Sequence, residues 1–479
     1  MKARRFPALI AVVAMLASCG GGGGGNGSSG GTGSAPTPTP TTAAGCSLRD
    51  RQNWAFAQLS EWYLFPDTLP ASLDPSPYAS VQDYVDALTA TARAQRKDRY
   101  FTYITSIAEE NAYYNSGSSA GFGVRLSYDT AARRVFVSEA FEGAPGLAAG
   151  IDRGTEILAI GTSASTLRTV SDLIASGGEA AVTDALGPTT AGTARTLRVT
   201  DTAGTRTVTV SKADYTLNPV STRYGARIID QNGTKVGYVN LRTFIGTADA
   251  GLRDAFAGFR AAGVTSVIVD LRYNGGGLLS TAVLFSNLLG GQRSTGDVQS
   301  YTTFRSSKSA QNETTYFTPQ PQSVSAMKIA FIGTGGTASA SEYVINAFVP
   351  YLHASAALVG TNTYGKPVGQ IALDKSSCDD RLRVIALALQ NAARQGEYYD
   401  GLATKVEASC QAGDDLTHQL GDPAEASTRA ALDFLAGRGC TPIGATASLE
   451  RTTTPFAGER ELLAPAWPST AQRETPGLF

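Results

Sequence analysis

Ser266-Val267-Ile268-Val269-Asp270-Leu271, followed at once by Arg272-Tyr273-Asn274-Gly275-Gly276-Gly277, is an apolar run of buried-strand length that stops on a glycine turn. The same form recurs at Lys328-Ile329-Ala330-Phe331-Ile332-Gly333 and at Ala356-Ala357-Leu358-Val359-Gly360. Upstream, Lys235 to Leu241 reads as a strand, and Leu252, Phe256 and Phe259 mark one face of a helix. Strands alternating with helices argue for an α/β layer architecture over residues 214–440. No repeat period points to a solenoid.

Each of the three apolar runs leads into a segment that could carry chemistry. The first leads into the glycine turn Gly275 to Gly277. The second leads into Gly336-Thr337-Ala338-Ser339-Ala340-Ser341-Glu342, and the third into Tyr364-Gly365-Lys366-Pro367-Val368-Gly369-Gln370. Ligands of open α/β sheets gather beyond the carboxyl ends of the strands, so one site could collect all three. A serine hydroxyl needs a base. The chain has two histidines, His353 and His418, and both are most simply structural. A lysine in an apolar setting can serve instead, because burial favours the neutral amine. Tyr343, Val344, Ala347 and Phe348 suggest a helix that begins beside Ser339. The unpaired N–H groups of a helix start favour a developing oxyanion. Blander readings stand beside these. Ser341 is a second candidate nucleophile, Lys366 could be a surface lysine, and Gly275 to Gly277 could be only a tight turn. Gly117-Ser118-Ser119-Ala120-Gly121 fits G-x-S-x-G but lies outside a strand-to-helix turn, so it is set aside.

Outward from this region the texture changes. With 479 residues, 42% of them hydrophobic, two or three domains with real cores are expected. A net charge of −1 gives no general pull toward nucleic acid or anionic membrane. Residues 1–18 read as a signal peptide: Lys2, Arg4 and Arg5 precede an apolar stretch too short to span a bilayer. Residues 19–45 are almost all Gly, Ser, Thr, Pro and Ala, the composition of a flexible tether. Residues 46–116 show helix-spaced apolar stripes at Trp54, Phe56, Leu59, Trp62 and Tyr63, and again at Val81, Tyr84, Val85 and Leu88. Residues 117–213 alternate like short strands, with a hairpin expected around Asp201-Thr202-Ala203-Gly204. Residues 441–479, rich in Thr and Pro, read as a loosely packed tail.

Three resemblances attach to these residues. Leu16-Ala17-Ser18-Cys19-Gly20 resembles a bacterial lipobox, which implies cleavage before Cys19 and lipid attachment to its sulfur. Gly143 to Ile151 and Ile157 to Gly161 resemble a PDZ domain, although Arg153-Gly154-Thr155-Glu156 departs from the usual run there. The resemblance implies that Ala120 and the loop residues Gly121, Phe122, Gly123 and Val124 hold a peptide C-terminus beside a strand edge. The glycine, serine and lysine motifs, in this order behind a PDZ-like segment, resemble the carboxyl-terminal processing proteases of family S41. That resemblance covers about Cys46 to Cys440 and implies a ClpP/crotonase-like catalytic domain. It implies Ser339 as nucleophile, Lys366 as base and Gln370 as the residue that orients the lysine. The N–H groups of Ala340 and of Gly276 or Gly277 would form the oxyanion hole. Pro367 replaces the family's usual glycine after the lysine, and the stretch from serine to lysine is slightly long.

The expected activity is that of a lipid-anchored serine endopeptidase acting on proteins or peptides, probed at their C-termini, with no cofactor and no metal. The expected place is the bacterial cell envelope, facing the periplasm, from the outer membrane. The alternatives are a catalytically silent PDZ lipoprotein scaffold and a crotonase-like acyl-CoA enzyme, the latter disfavoured by the export signal. Export favours disulfides among Cys46, Cys378, Cys410 and Cys440, which allow three pairings and lack zinc-site spacing. Proximity in the chain selects Cys378–Cys410, which leaves Cys46–Cys440.

Overall fold

The computed structural model describes residues 44–444 and 460–479. The signal peptide, Cys19 and nearly all of the tether lie outside the described residues. Residues 43–479 form a compact unit by themselves.

At its centre is a six-stranded sheet in the order Ala226–Gln231, Thr234–Asn240, Ser266–Asp270, Lys328–Gly333, Ala356–Gly360, Ala408–Gln411. The first pair is antiparallel and the rest are parallel. Successive side chains of a strand face opposite ways. Here Val267, Val269, Ile329, Phe331 and Leu358 pack under the helices Ala248–Ala261, Leu279–Leu289 and Ala340–Leu352. Ile268, Ala330, Ile332 and Val359 pack under Ala426–Leu435 on the other side. Burial on both faces is why these strands read as unbroken apolar runs.

A five-stranded sheet lies beside it. Asp380–Gln390 is flanked by Tyr103–Ser106 and Val298–Phe304 and also pairs with Val368–Lys375. The helices Leu48–Trp62 and Val81–Leu88 cover this sheet through Ala55, Leu59, Tyr63, Tyr84 and Val85. Ser47 and Ser80 cap the two helices by accepting from Asp50 N and Asp83 N. Residues 46–116 are therefore not helical throughout, since Tyr103–Ser106 is a strand of the second sheet.

The β-rich region is an antiparallel sheet of Val124–Asp129, Arg134–Ala140, Glu156–Gly161, Ala194–Asp201 and Gly204–Ser211. The hairpin forms where the sequence places it, with Asp201 facing Gly204. The helix Val170–Leu186, broken at Gly177 and Gly178, buries Leu173, Ile174 and Val182 against the sheet.

Two further expectations are corrected. The disulfides are Cys46–Cys378 and Cys410–Cys440, not Cys378–Cys410 and Cys46–Cys440. Cys410 lies in the last strand of the central sheet, and residue 441 returns to it, with Thr441 O accepting from Gln411 N. Cys378 lies far off, in the turn between two strands of the other sheet. The 31 residues between Cys378 and Cys410 in the chain cross from one sheet to the other, so chain proximity misleads.

The second correction concerns the tail, whose described part, 460–479, is packed rather than loose. Glu461–Leu462 pairs with Tyr128 and Ser127 on the edge of Val124–Asp129. Further along the same edge, Leu126 N donates to Gly477 O (2.7 Å) and Phe479 N to Val124 O (2.9 Å). Leu463 and Phe479 enter the β-domain core, and Leu478 packs with Tyr113, Phe141 and Tyr215. An open strand edge beside apolar cores gives these residues somewhere to go.

Candidate active site

Parallel neighbours bring the three motif turns together at one end of the central sheet. Ser266–Asp270 delivers the glycine turn, Lys328–Gly333 the serine turn, and Ala356–Gly360 the lysine loop. Asn274 fastens the first two. Its carbonyl accepts from Ala338 N (3.0 Å) and from the Ser341 hydroxyl (2.9 Å), and its side-chain amide donates to Leu241 O (2.8 Å). Ser341 is fully buried and its proton is committed to that carbonyl, whereas Ser339 is partly accessible. That separates the two candidate serines.

Ser339 immediately precedes the helix Ala340–Leu352 and has φ 55° and ψ −113°. A positive φ at a residue with a β-carbon is uncommon and costs of order 1–3 kcal/mol. Gly276 lies against it: a β-carbon on Gly276, whose φ is +123°, would sit 2.8 Å from Ser339 Cβ and 3.2 Å from Ala340 N. Only glycine lets the two turns approach so closely. In this conformation the Gly276 N–H donates to Asn274 Oδ1 at 3.0 Å. Gly277 backs onto Phe244 instead, its virtual β-carbon 2.2 Å from Phe244 O.

Lys366 is buried, and burial pushes its amine pKa below the ordinary lysine value, an effect opposed by the nearby Glu474 charge. Its Nζ donates to Gln370 Oε1 (3.1 Å) and lies 5.1 Å from the Phe101 ring centre. Gln370 Nε2 in turn donates to Phe101 O. No hydrogen bond joins Ser339 to the Lys366 amine among the described residues; the two are linked through a third group.

That group is Glu342. Its Oε2 accepts from Ser339 N (3.0 Å) and Lys366 N (2.7 Å), and its Oε1 from Gly365 N (2.7 Å) and the Thr363 hydroxyl (2.6 Å). One fully buried carboxylate thus meets four donors drawn from the serine turn and the lysine loop. Desolvation raises its pKa, and those donors oppose the rise. The sequence displays Glu342 inside the serine motif without showing this role. Arg99 and Phe101 form a second part of the site that sequence reasoning misses. Arg99 donates to Tyr364 O (2.7 Å) and Gly365 O (2.5 Å) and so braces the lysine loop. No local signal marks them, because their partners are more than 260 residues away.

The remaining candidates fall elsewhere. Gly121, Phe122, Gly123 and Val124 line the β-domain edge where Phe479 lies, with a virtual β-carbon on Gly121 2.9 Å from the Phe479 carbonyl carbon. His353 pairs with Glu407, and His418 with Asp415, both at 2.7 Å and away from the serine turn.

An α/β core whose strand ends gather a strained serine, a glycine turn and a buried lysine defines a hydrolase-like site. Residues 235–393 match peptidase family S41. The chloroplastic C-terminal processing peptidase of Tetradesmus obliquus is 27% identical over 272 residues, 54% of this chain and 54% of its own length. A carboxyl-terminal-processing protease of Picosynechococcus sp. is 28% identical over 251 residues, 52% of this chain and 55% of its own length. The chain spans about half the length of the curated relatives it matches. In fold, it is similar to an S41 protease of Bacteroides fragilis, with a TM-score of 0.62 at 22% identity, covering 80% of this chain and 97% of that one.

Proposed function

We propose that this protein is a serine endopeptidase that uses Ser339 as nucleophile and Lys366 as base on protein or peptide substrates. The observation that carries the reading is the shared Glu342 carboxylate, which fixes the backbone of both residues at once. In the reaction, the neutral Lys366 amine takes the Ser339 proton as Oγ attacks the scissile carbonyl. The resulting ammonium then gives a proton to the leaving amine. Ala340 N–H, at the helix start, stabilises the oxyanion together with a glycine-turn N–H. Gly276 N–H can join only by leaving Asn274 Oδ1, so the turn must shift when substrate binds. Gln370 orients the amine between turnovers.

The β-rich region serves as a PDZ-like module that presents substrate C-termini, and the helices within residues 46–116 serve as a cover for the lysine side of the site. The chain is carried to the periplasmic side of the envelope and held by a lipid on Cys19. Labelling of Ser339 by a fluorophosphonate, and cleavage of an unfolded protein substrate lost in Ser339→Ala, are the expected results. A wild-type chain that neither labels nor cleaves would leave the scaffold reading in its place. Metabolic labelling with a radioactive fatty acid, lost in Cys19→Ala, tests the anchor.

A further inference from the structure

The PDZ-like edge is already occupied, and the occupant is part of the same chain. Residues 477–479 lie antiparallel to Val124–Asp129, with Leu478 opposite Arg125. Val124 N donates to Phe479 O (3.3 Å), Phe479 N to Val124 O (2.9 Å) and Leu126 N to Gly477 O (2.7 Å). These are the hydrogen bonds an added strand makes to a sheet edge. The side chains of Leu478 and Phe479 are each 3% exposed and enter two different apolar clusters. Arg125 grips the segment as well, with Nη1 donating to Pro476 O (2.5 Å) and to Tyr273 O (2.9 Å). Gln472 Nε2 closes the turn by donating to Leu478 O (3.0 Å).

We infer that residues 476–479 are a resident ligand of this edge, which an incoming peptide segment of the same chemistry must displace. The inference rests on the proposed reading of the β-rich region as a peptide-binding module. It also defines the partner. The occupant turns through Pro476 and Gly477, whose φ is +84°, and then lays an aliphatic and an aromatic residue along the edge, so a competitor carries an adjacent aliphatic–aromatic pair. The backbone bonds are available to any peptide, while the two buried side chains set the choice. A tethered ligand has a high effective concentration, so a competitor in solution binds the intact chain weakly.

The test uses the whole chain carrying Ser339→Ala, so that binding is read without cleavage. The probe is a fluorescent Thr-Pro-Gly-Leu-Phe peptide with a free carboxylate. Its Kd is compared in that chain and in the same chain with Leu478→Ser and Phe479→Ser. The expected result is binding at least tenfold tighter to the chain with the altered tail. Equal Kd in the two chains would overturn the resident ligand while leaving the groove reading intact. No binding to either chain would overturn both. Because Phe479 is a core residue, hydrogen exchange of the unaltered tail gives a second measurement. Saturating peptide should raise exchange across 470–479 at least fivefold, and unchanged exchange at saturation would also sink the inference. Failure of the Ser339 chemistry would appear only in the cleavage and labelling assays and would not touch these results.

Discussion

Glu342 is the most consequential side chain that the sequence does not explain. A carboxylate only accepts, and all four of its partners donate. Glu342→Gln turns an NH2 group toward N–H donors, and a mismatched buried group costs about 1–3 kcal/mol. A fall in kcat of at least tenfold is expected, with KM little changed and Ser339 still present at the helix start. Unchanged kcat would show that the two turns hold their places without it. Lys366 supplies a pH prediction. Burial lowers its pKa, and in the proposed mechanism the neutral amine is the working form, so kcat/KM should rise with pH through an apparent pKa below 10.5. Lys366→Ala should lose that limb along with nearly all activity. A flat profile in the native enzyme would remove lysine as the base. The gathering of the Ser339, Lys366 and Gln370 motifs at one end of the sheet was legible because each follows an apolar run. Glu342, Arg99 and Phe101 were not, because what they do depends on who comes to meet them.

At the scale of elements, the strands and the serine helix could be read from apolar periodicity, and the tail could not. The apolar residues that dock it, among them Leu462, Leu463, Leu478 and Phe479, are too scattered to show a period. Their burial depends on an edge built more than 300 residues earlier. The tail also reaches the glycine turn: Gly275 N donates to Glu474 O (3.0 Å), and Tyr114 holds the Glu474 carboxyl at 3.0 Å. Adding the Thr-Pro-Gly-Leu-Phe peptide to the active chain should therefore speed fluorophosphonate labelling of Ser339 severalfold. An unaltered rate at peptide saturation would uncouple the edge from the turn. The disulfides were legible as a set but not as pairs, since pairing depends on where the two sheets place the turns. Each bond contributes roughly 2–5 kcal/mol by restricting the unfolded chain. Cys410→Ser with Cys440→Ser should lower the melting temperature by several degrees without changing kcat. A change in kcat would tie this loop to the site.

At the scale of the whole molecule, the β-rich region is joined to the catalytic core through buried charge. Arg153 donates to Asp414 (2.7 Å) and to the Tyr273 hydroxyl (2.9 Å). Arg272 takes Glu425 in two bonds, at 2.8 and 2.9 Å, and pairs with Asp270 at 3.0 Å. Arg242 bridges Glu139 and Glu142 at 2.6 and 2.7 Å. Asp270 and Arg272 thus support the glycine turn by ionic contact, a role their place in the motif does not reveal. Removing one partner of a buried pair strands the other, so Glu425→Ala should cost about 3–5 kcal/mol. Chemical denaturation measures this, and a cost under about 1 kcal/mol would mean that water replaces the carboxylate. Neighbouring arginines hold the Asp414 and Glu425 pKa values below the usual carboxylate range and bring Glu142 to about 2. Depressed pKa values mean that the unfolded chain binds more protons in acid. The stability these groups provide is complete above their unfolded pKa values, about 4, and drains away as pH falls toward the folded ones. A melting temperature that stays constant from pH 5 to pH 2.5 would contradict this.

The Cys46–Cys378 bond has a mechanical consequence. It spans 332 positions, so the β-rich region, Ser339 and Lys366 all lie on one closed covalent ring. One backbone cut anywhere on that ring opens it without releasing a fragment, so a nicked molecule would run at full size on a gel until a reductant is added. Traction on the residues before Cys46 would likewise pass through sulfur into the Asp380–Gln390 sheet, sparing the first helix from being peeled away.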